Sequence, residues 1–241
     1  MNGRVRLGIL TLSSNTVLEP LTSAILDDLP EVTAHFARFK ATEIALSPGA
    51  VAQFDDEQIL RAAELLADAK VDAIAWSGTS AAWLGFARDV ALCERIVKST
   101  GRPAGTAVLA LNEVLAASGV KRLGLVTPYR DDVQARIIAN YDAAGIAVVS
   151  ERHLGISDNY AFAEEPPDRI EALIREVAAD RPDAIAVLCT NMRGAPLVSE
   201  LEAEFDIPIH DSVAVIVWKS LKLAGVDPSR VQGWGQVFAA R

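Results

Sequence analysis

The chain has 241 residues, 51% of them apolar and 23% charged. That is ample for a buried core and too ordinary for a disordered, collagen-like or coiled-coil protein. Acidic residues outnumber basic ones 32 to 23, a net charge of −9, which argues against nucleic-acid or anionic-membrane partners because both need clustered Lys and Arg. In chain order, residues 5–11 (VRLGILT) form an apolar, partly β-branched run that reads as a strand. Residues 56–69 carry Ile59, Leu60, Ala63, Leu66 and Ala67 at helical spacing. Residues 71–76 (VDAIAW) read as the next strand and 86–98 as a helix. Strands follow at 121–127, 146–150, 183–188 and 207–209, separated by helices at 131–144, 169–179 and 196–205, and 212–224 closes as a helix. Strands alternating with helices predict an α/β fold of parallel sheets flanked by helices.

Two segments recur in the same order. Residues 6–11 (RLGILT) resemble 122–127 (RLGLVT), and 72–79 (DAIAWSGT) resemble 183–190 (DAIAVLCT). The repeat predicts two similar halves related by pseudo-two-fold symmetry, one spanning 1–117 plus 212–241 and the other 118–211. Ligands of open α/β sheets sit beyond the carboxyl ends of the strands, so the site is expected between the halves.

Two cysteines, Cys93 and Cys189, cannot make a disulfide framework, and the three scattered histidines give no metal-ligand spacing. The N-terminus turns polar after Leu12 and no apolar run is long enough to span a membrane, so a cytoplasmic location is expected. Cys93 falls on an apparent apolar stripe with Phe86, Val90 and Val97 and is expected to be core.

Four polar loops follow four strands: 12–16 (LSSNT), 77–80 (SGTS), 127–131 (TPYRD) and 188–191 (LCTN). Any one of them reads as a helix cap. Four converging on one cleft would make a neutral cradle for an anion, from hydroxyls, amides and backbone N–H groups. The repeat sets Gly78 opposite Cys189, so one wall would carry a thiol and the other no side chain. A helix N-terminus after Cys189 is expected to lower its pKa, while a bound carboxylate would raise it. Trp76, Trp83 and Tyr160 could line an aryl pocket or belong to the core, and 154–160 could cover the cleft.

These residues resemble the aspartate/glutamate racemase superfamily over nearly the whole chain, and within it the branch of maleate cis–trans isomerases and arylmalonate decarboxylases. Residues 13–16 (SSNT) are similar to the isomerase carboxylate-binding loop, with Asn15 as its substrate contact. Residues 127–129 (TPY) resemble the loop whose tyrosine, here Tyr129, touches substrate, and Asn159 falls where isomerases carry a second asparagine. Cys189 matches the second family cysteine, and 78–80 (GTS) resembles the decarboxylase sequence that replaces the first. The ending 233–238 (GWGQVF) also resembles the decarboxylases.

The resemblance implies an enzyme without cofactor or metal, acting on a small (di)carboxylate and allowing a homodimer. Cys189 would be catalytic, with Asn15, Gly78, Thr79, Ser80, Tyr129, Asn159 and Thr190 holding substrate. With one thiol, two-base racemisation is unexpected, and loss of CO2 from a malonate-like substrate with one-face protonation by Cys189 leads. A maleate isomerase-like or racemase-like isomerase, including those of ectoine utilisation, is the alternative. A non-catalytic carboxylate-binding protein is a second. A cysteine restored at position 78 is expected to add racemisation if the cradle is competent.

Overall fold

The computed structural model describes residues 3–239, so the outermost residues of the first predicted half lie outside the described ones. Strands β1 (Val5–Leu12), β2 (Val32–Phe39), β3 (Ala73–Trp76) and β4 (Ala104–Thr106) form one parallel sheet in the order β2-β1-β3-β4. Strands β5 (Arg122–Thr127), β6 (Ala147–His153), β7 (Ala184–Val187) and β8 (Ile209–Asp211) form a second in the order β6-β5-β7-β8. Helices α1 (Leu18–Ile25), α2 (Pro48–Ala52), α3 (Asp56–Asp68), α4 (Ala81–Leu84), α5 (Phe86–Thr100) and α6 (Ala107–Ala117) accompany the first sheet. Along the second run α7 (Asp131–Ala143), α8 (Asn159–Glu164), α9 (Pro167–Ala178), α10 (Val198–Phe205) and α11 (Ser212–Leu223).

The sequence repeat has a structural meaning at each of its ends. Asp72 accepts the Arg6 backbone N–H at 2.7 Å, and Asp183 accepts that of Arg122 at 2.9 Å. Each aspartate thereby aligns the central pair of its sheet, Leu7 with Ala73 and Leu123 with Ala184. At the other end Ser77 N–H bonds Leu10 O, and Leu188 N–H bonds Val126 O. The central strands β3 and β7 are buried along their whole length, which is why they read as continuous apolar runs.

The last helices of the halves begin alike. Thr106 caps α6 through Leu109 N–H, and Asp211 caps α11 through Val213 and Ala214 N–H. Helix α11 packs against α6 and also against α1, β3 and β4 of the first half.

Three expectations need correction. Helix α5 buries Asp89, Leu92 and Ile96, leaving Val90 and Val97 on the outside and Cys93 only half-buried, so the apparent stripe is one residue off the true inner face. The helix predicted at 196–205 starts as a 3-10 turn, Ala195–Leu197, before α10. The last strand lies two residues later than expected, at β8.

Candidate active site

The carboxyl ends of β1, β3, β5 and β7 face a small, partly enclosed cavity between the two sheets. One side of it is apolar: Leu12, Ile44, Phe54, Trp76 and Trp83. The other carries Gly78, Thr79, Ser80, Tyr129, Asn159, Cys189 and Thr190. Seven of the eight residues expected from the sequence therefore meet at one place. None of the lining side chains is charged, so an anion there would be held by neutral donors alone. The cavity has room for about one water molecule.

Tyr129 and Thr79 join the two halves directly. Their hydroxyls are 2.7 Å apart. The Tyr129 ring is held between Trp83 at 5.0 Å and Phe162 at 5.7 Å. Burial drives the tyrosine pKa well above its ordinary value, and the nearby Cys189 sulfur adds to the rise. Ser80 opens α4, with its carbonyl accepting from Trp83 and Leu84 N–H, and its hydroxyl makes no capping bond to that helix.

Cys189 sits two residues beyond the end of β7 at Val187, 3% exposed. No α-helix starts there, so the expected helix N-terminus is absent, and the Asn191 N–H at 3.3 Å from Sγ takes its place. Burial outweighs that bond and pushes the thiol up to about 12. The group is accordingly a protonated thiol at neutral pH.

Thr190 and two asparagines staple the halves together. Thr190 Oγ1 donates to Ser77 O at 3.1 Å. Asn15 stands behind the wall: its Oδ1 accepts from Val17 and Leu18 N–H at the start of α1, and its Nδ2 donates to Thr190 O at 3.1 Å. It thus caps a helix and positions Thr190 at once. Asn191 does the reverse, reaching from the second half to accept Thr16 and Val17 N–H and donating to Asn159 O at 2.5 Å.

Asn159 enters from the segment that the sequence offered as a cover. Its Nδ2 donates to Ser14 Oγ at 2.8 Å. Around it, Ile44 N–H bonds Ser157 O at 2.8 Å and Asn159 N–H bonds Thr42 O at 2.9 Å. Glu43 and Asp158 form an antiparallel bridge. Two loops, one from each half, are clasped beside the cavity. Tyr160 points away and is 51% exposed, so it is neither pocket nor core.

Gly78 has a neighbour that the sequence did not suggest. The Trp76 indole folds onto it, so that a Cβ built on Gly78 would lie 2.0 Å from Trp76 Cζ2. The space expected to receive a restored cysteine is already filled. Ile44 and Phe54 were also not anticipated, because they come from a stretch outside the repeat.

Among the described residues no group of three or more His, Cys, Asp or Glu could hold a metal ion, and no helix is long and apolar enough to cross a membrane. His210 and Asp211, at the end of β8, are buried. Burial lowers the histidine to about 4 and raises the aspartate to about 7.

Two parallel four-stranded sheets facing one cavity, with a lone thiol among neutral donors, define an Asp/Glu racemase-like α/β protein of the maleate isomerase and arylmalonate decarboxylase branch. The chain belongs to the arylmalonate decarboxylase family, which matches residues 16–238. It is 29% identical to arylmalonate decarboxylase of Bordetella bronchiseptica over 164 residues, covering 67% of this chain and 68% of that one. It is 26% identical over 240 residues to maleate isomerase of Nocardia farcinica, covering 97% and 95%. A maleate isomerase variant from Pseudomonas putida S16, solved with maleate, superposes with a TM-score of 0.89 at 27% identity, covering 98% of this chain and 97% of that one.

Proposed function

We propose that the chain decarboxylates a small geminal diacid and protonates the product on one face. The observation that carries this reading is the single protonated thiol: Cys189 lines the cavity, and Gly78, the position the repeat pairs with it, brings no side chain. Decarboxylation needs no base. The bond between the central carbon and one carboxylate breaks, CO2 leaves, and the electron pair passes into an enediolate on the retained carboxylate. Thr79, Ser80, Tyr129 and Asn159 would receive the developing charge as hydrogen-bond donors. Cys189 then gives its proton to carbon and regains one from water, so that one proton is consumed for each CO2 released. A thiol held near 12 is still far more acidic than the carbon it protonates, and its thiolate is quickly reprotonated.

A second reading has support in the near-complete alignment with maleate isomerase. There, isomerisation of a small unsaturated diacid would run through Cys189 alone as nucleophile. A thiol buried and protonated to this degree favours proton donation over nucleophilic addition. The test is to assay Cys189→Ala and wild type with substituted malonates for CO2 release and with maleate for loss of the cis double bond. The expected result is CO2 release by wild type and its loss in the variant, about 10²-fold or more. Undiminished release by the variant, or turnover of maleate alone, would overturn the proposal.

A further inference from the structure

We infer that Trp76 sets the substrate class, and that this pocket takes diacids with hydrogen or short alkyl substituents and rejects aryl ones; the inference rests on the decarboxylation reading above.

Trp76 ends β3 and is fully buried, with its ring 5.1 Å from that of Phe39. The indole turns back over Gly78, two residues on. A Cβ at 78 would lie 2.0 Å from Cζ2 and 2.4 Å from both Cε2 and Cη2 of that ring. Real carbon contacts do not come under 3.0 Å, so any side chain at 78 must expel the indole. Because Phe39 and the strand hold the indole in place, positions 76 and 78 share one volume.

The other half of the molecule shows the same trade made the other way. By the repeat, Val187 matches Trp76 and Cys189 matches Gly78. There a smaller residue on the strand is followed two residues later by one with a side chain. In the first half the large residue takes the space of that side chain. Glycine at 78 is therefore demanded by packing and does not open the pocket. The space beside Gly78 is filled by the indole.

A second feature points to what the indole meets. Trp76 Nε1 is buried without a hydrogen-bond partner, and it is bonded to the Cε2 that lies over Gly78. The large majority of buried side-chain N–H groups have a partner. Here it would be satisfied by a carboxylate oxygen of a substrate lying between Gly78 and Thr79. A compact diacid can supply that oxygen when the clasp parts. A phenyl ring occupying the same place could not.

The experiment has two arms. The first compares CO2 release from methylmalonate and from α-methyl-α-phenylmalonate by wild type, Trp76→Leu and the milder Trp76→Phe. Wild type should prefer methylmalonate by about 100-fold in kcat/KM, and Trp76→Leu should narrow that preference at least about tenfold. The second arm uses thermal unfolding. Gly78→Ala should lower Tm by about 5 °C in the wild-type background and by much less with Trp76→Leu. Equal use of both malonates by wild type, or the same Gly78→Ala shift in both backgrounds, overturns the inference and leaves decarboxylation standing. If neither malonate is turned over, the proposed reaction fails, and size selection is read from ligand-induced Tm shifts instead. Stabilisation by methylmalonate alone would then sustain the inference, and stabilisation by both or by neither would overturn it.

Discussion

Replacing Tyr129 with Phe removes one oxygen atom and keeps the ring. Trp83 and Phe162 grip that ring from two directions, so the packing survives. What is lost is the 2.7 Å bond to Thr79 Oγ1, a residue 5% exposed. Leaving that hydroxyl unpaired costs about 1–3 kcal/mol. In a chain of this size each kcal/mol shifts Tm by about 2–4 °C, so Tyr129→Phe should melt about 2–12 °C lower. The effect on rate is separate. Loss of one donor to a developing oxyanion costs about 2.7–4 kcal/mol, or about 10²–10³ in kcat. A contact made equally to bound substrate would raise KM and leave kcat alone. Calorimetry gives the first quantity and single-turnover CO2 release the second. A variant that melts lower yet keeps kcat within about threefold would refute the role of Tyr129 as a transition-state donor. No pH limb from this hydroxyl is expected in the neutral range, because burial keeps it protonated.

Two further outcomes are expected. Asn191→Ala loses its bonds to Thr16 N–H, Val17 N–H and Asn159 O, and Val17 alone keeps a substitute acceptor in Asn15 Oδ1. Of the two groups left without a partner, Asn159 O is in a buried residue while Thr16 is exposed, so the cost is about 1–3 kcal/mol; urea unfolding should show a drop in that range, and a loss under about 0.5 kcal/mol would contradict the staple. Asp211 and His210 should tilt stability with pH in opposite senses. The folded-state pKa of Asp211 is raised to about 7 from 3.8, so its contribution is complete below about pH 4 and is lost as pH rises through about 7. That of His210 is lowered to about 4 from 6.5, so its contribution is present above about pH 6.5 and is lost as pH falls through about 4. Asp211→Asn can still cap α11 and should flatten the decline between pH 4 and 7 that Asp211 adds to that of Asp89. An unchanged slope in urea titrations across that range would show that Asp211 does not titrate there.

The fold was legible where burial was one-sided or complete. Strands β1, β3, β5 and β7 announced themselves because both faces are covered, and the repeat placed them in register. Helix α6 was not visible, since Ala107, Val108, Ala110, Leu111, Val114 and Leu115 are all buried and leave little polar stripe to set a period. Strand β2 lies at a sheet edge, mostly half-buried, and its mixture of His35, Phe36 and Arg38 follows no clean alternation. At the site, residue identities and their convergence were readable from the loops that follow each strand. The state of Cys189 was not, because it depends on how deeply the sulfur is sunk. The conflict between Trp76 and Gly78 was hidden for a similar reason: two neighbours in sequence reveal their competition for space only once a side chain has taken a direction.

The clasp between Thr42, Ile44, Ser157 and Asn159 sets a condition on timing. Should the proposed reaction hold, a chamber with space for about one water would have to widen to admit a diacid. The main-chain bonds of this clasp are worth only about 1 kcal/mol apiece, so parting them would be a cheap way to widen it, and their reclosure rather than the breaking of carbon–carbon bonds could then pace turnover.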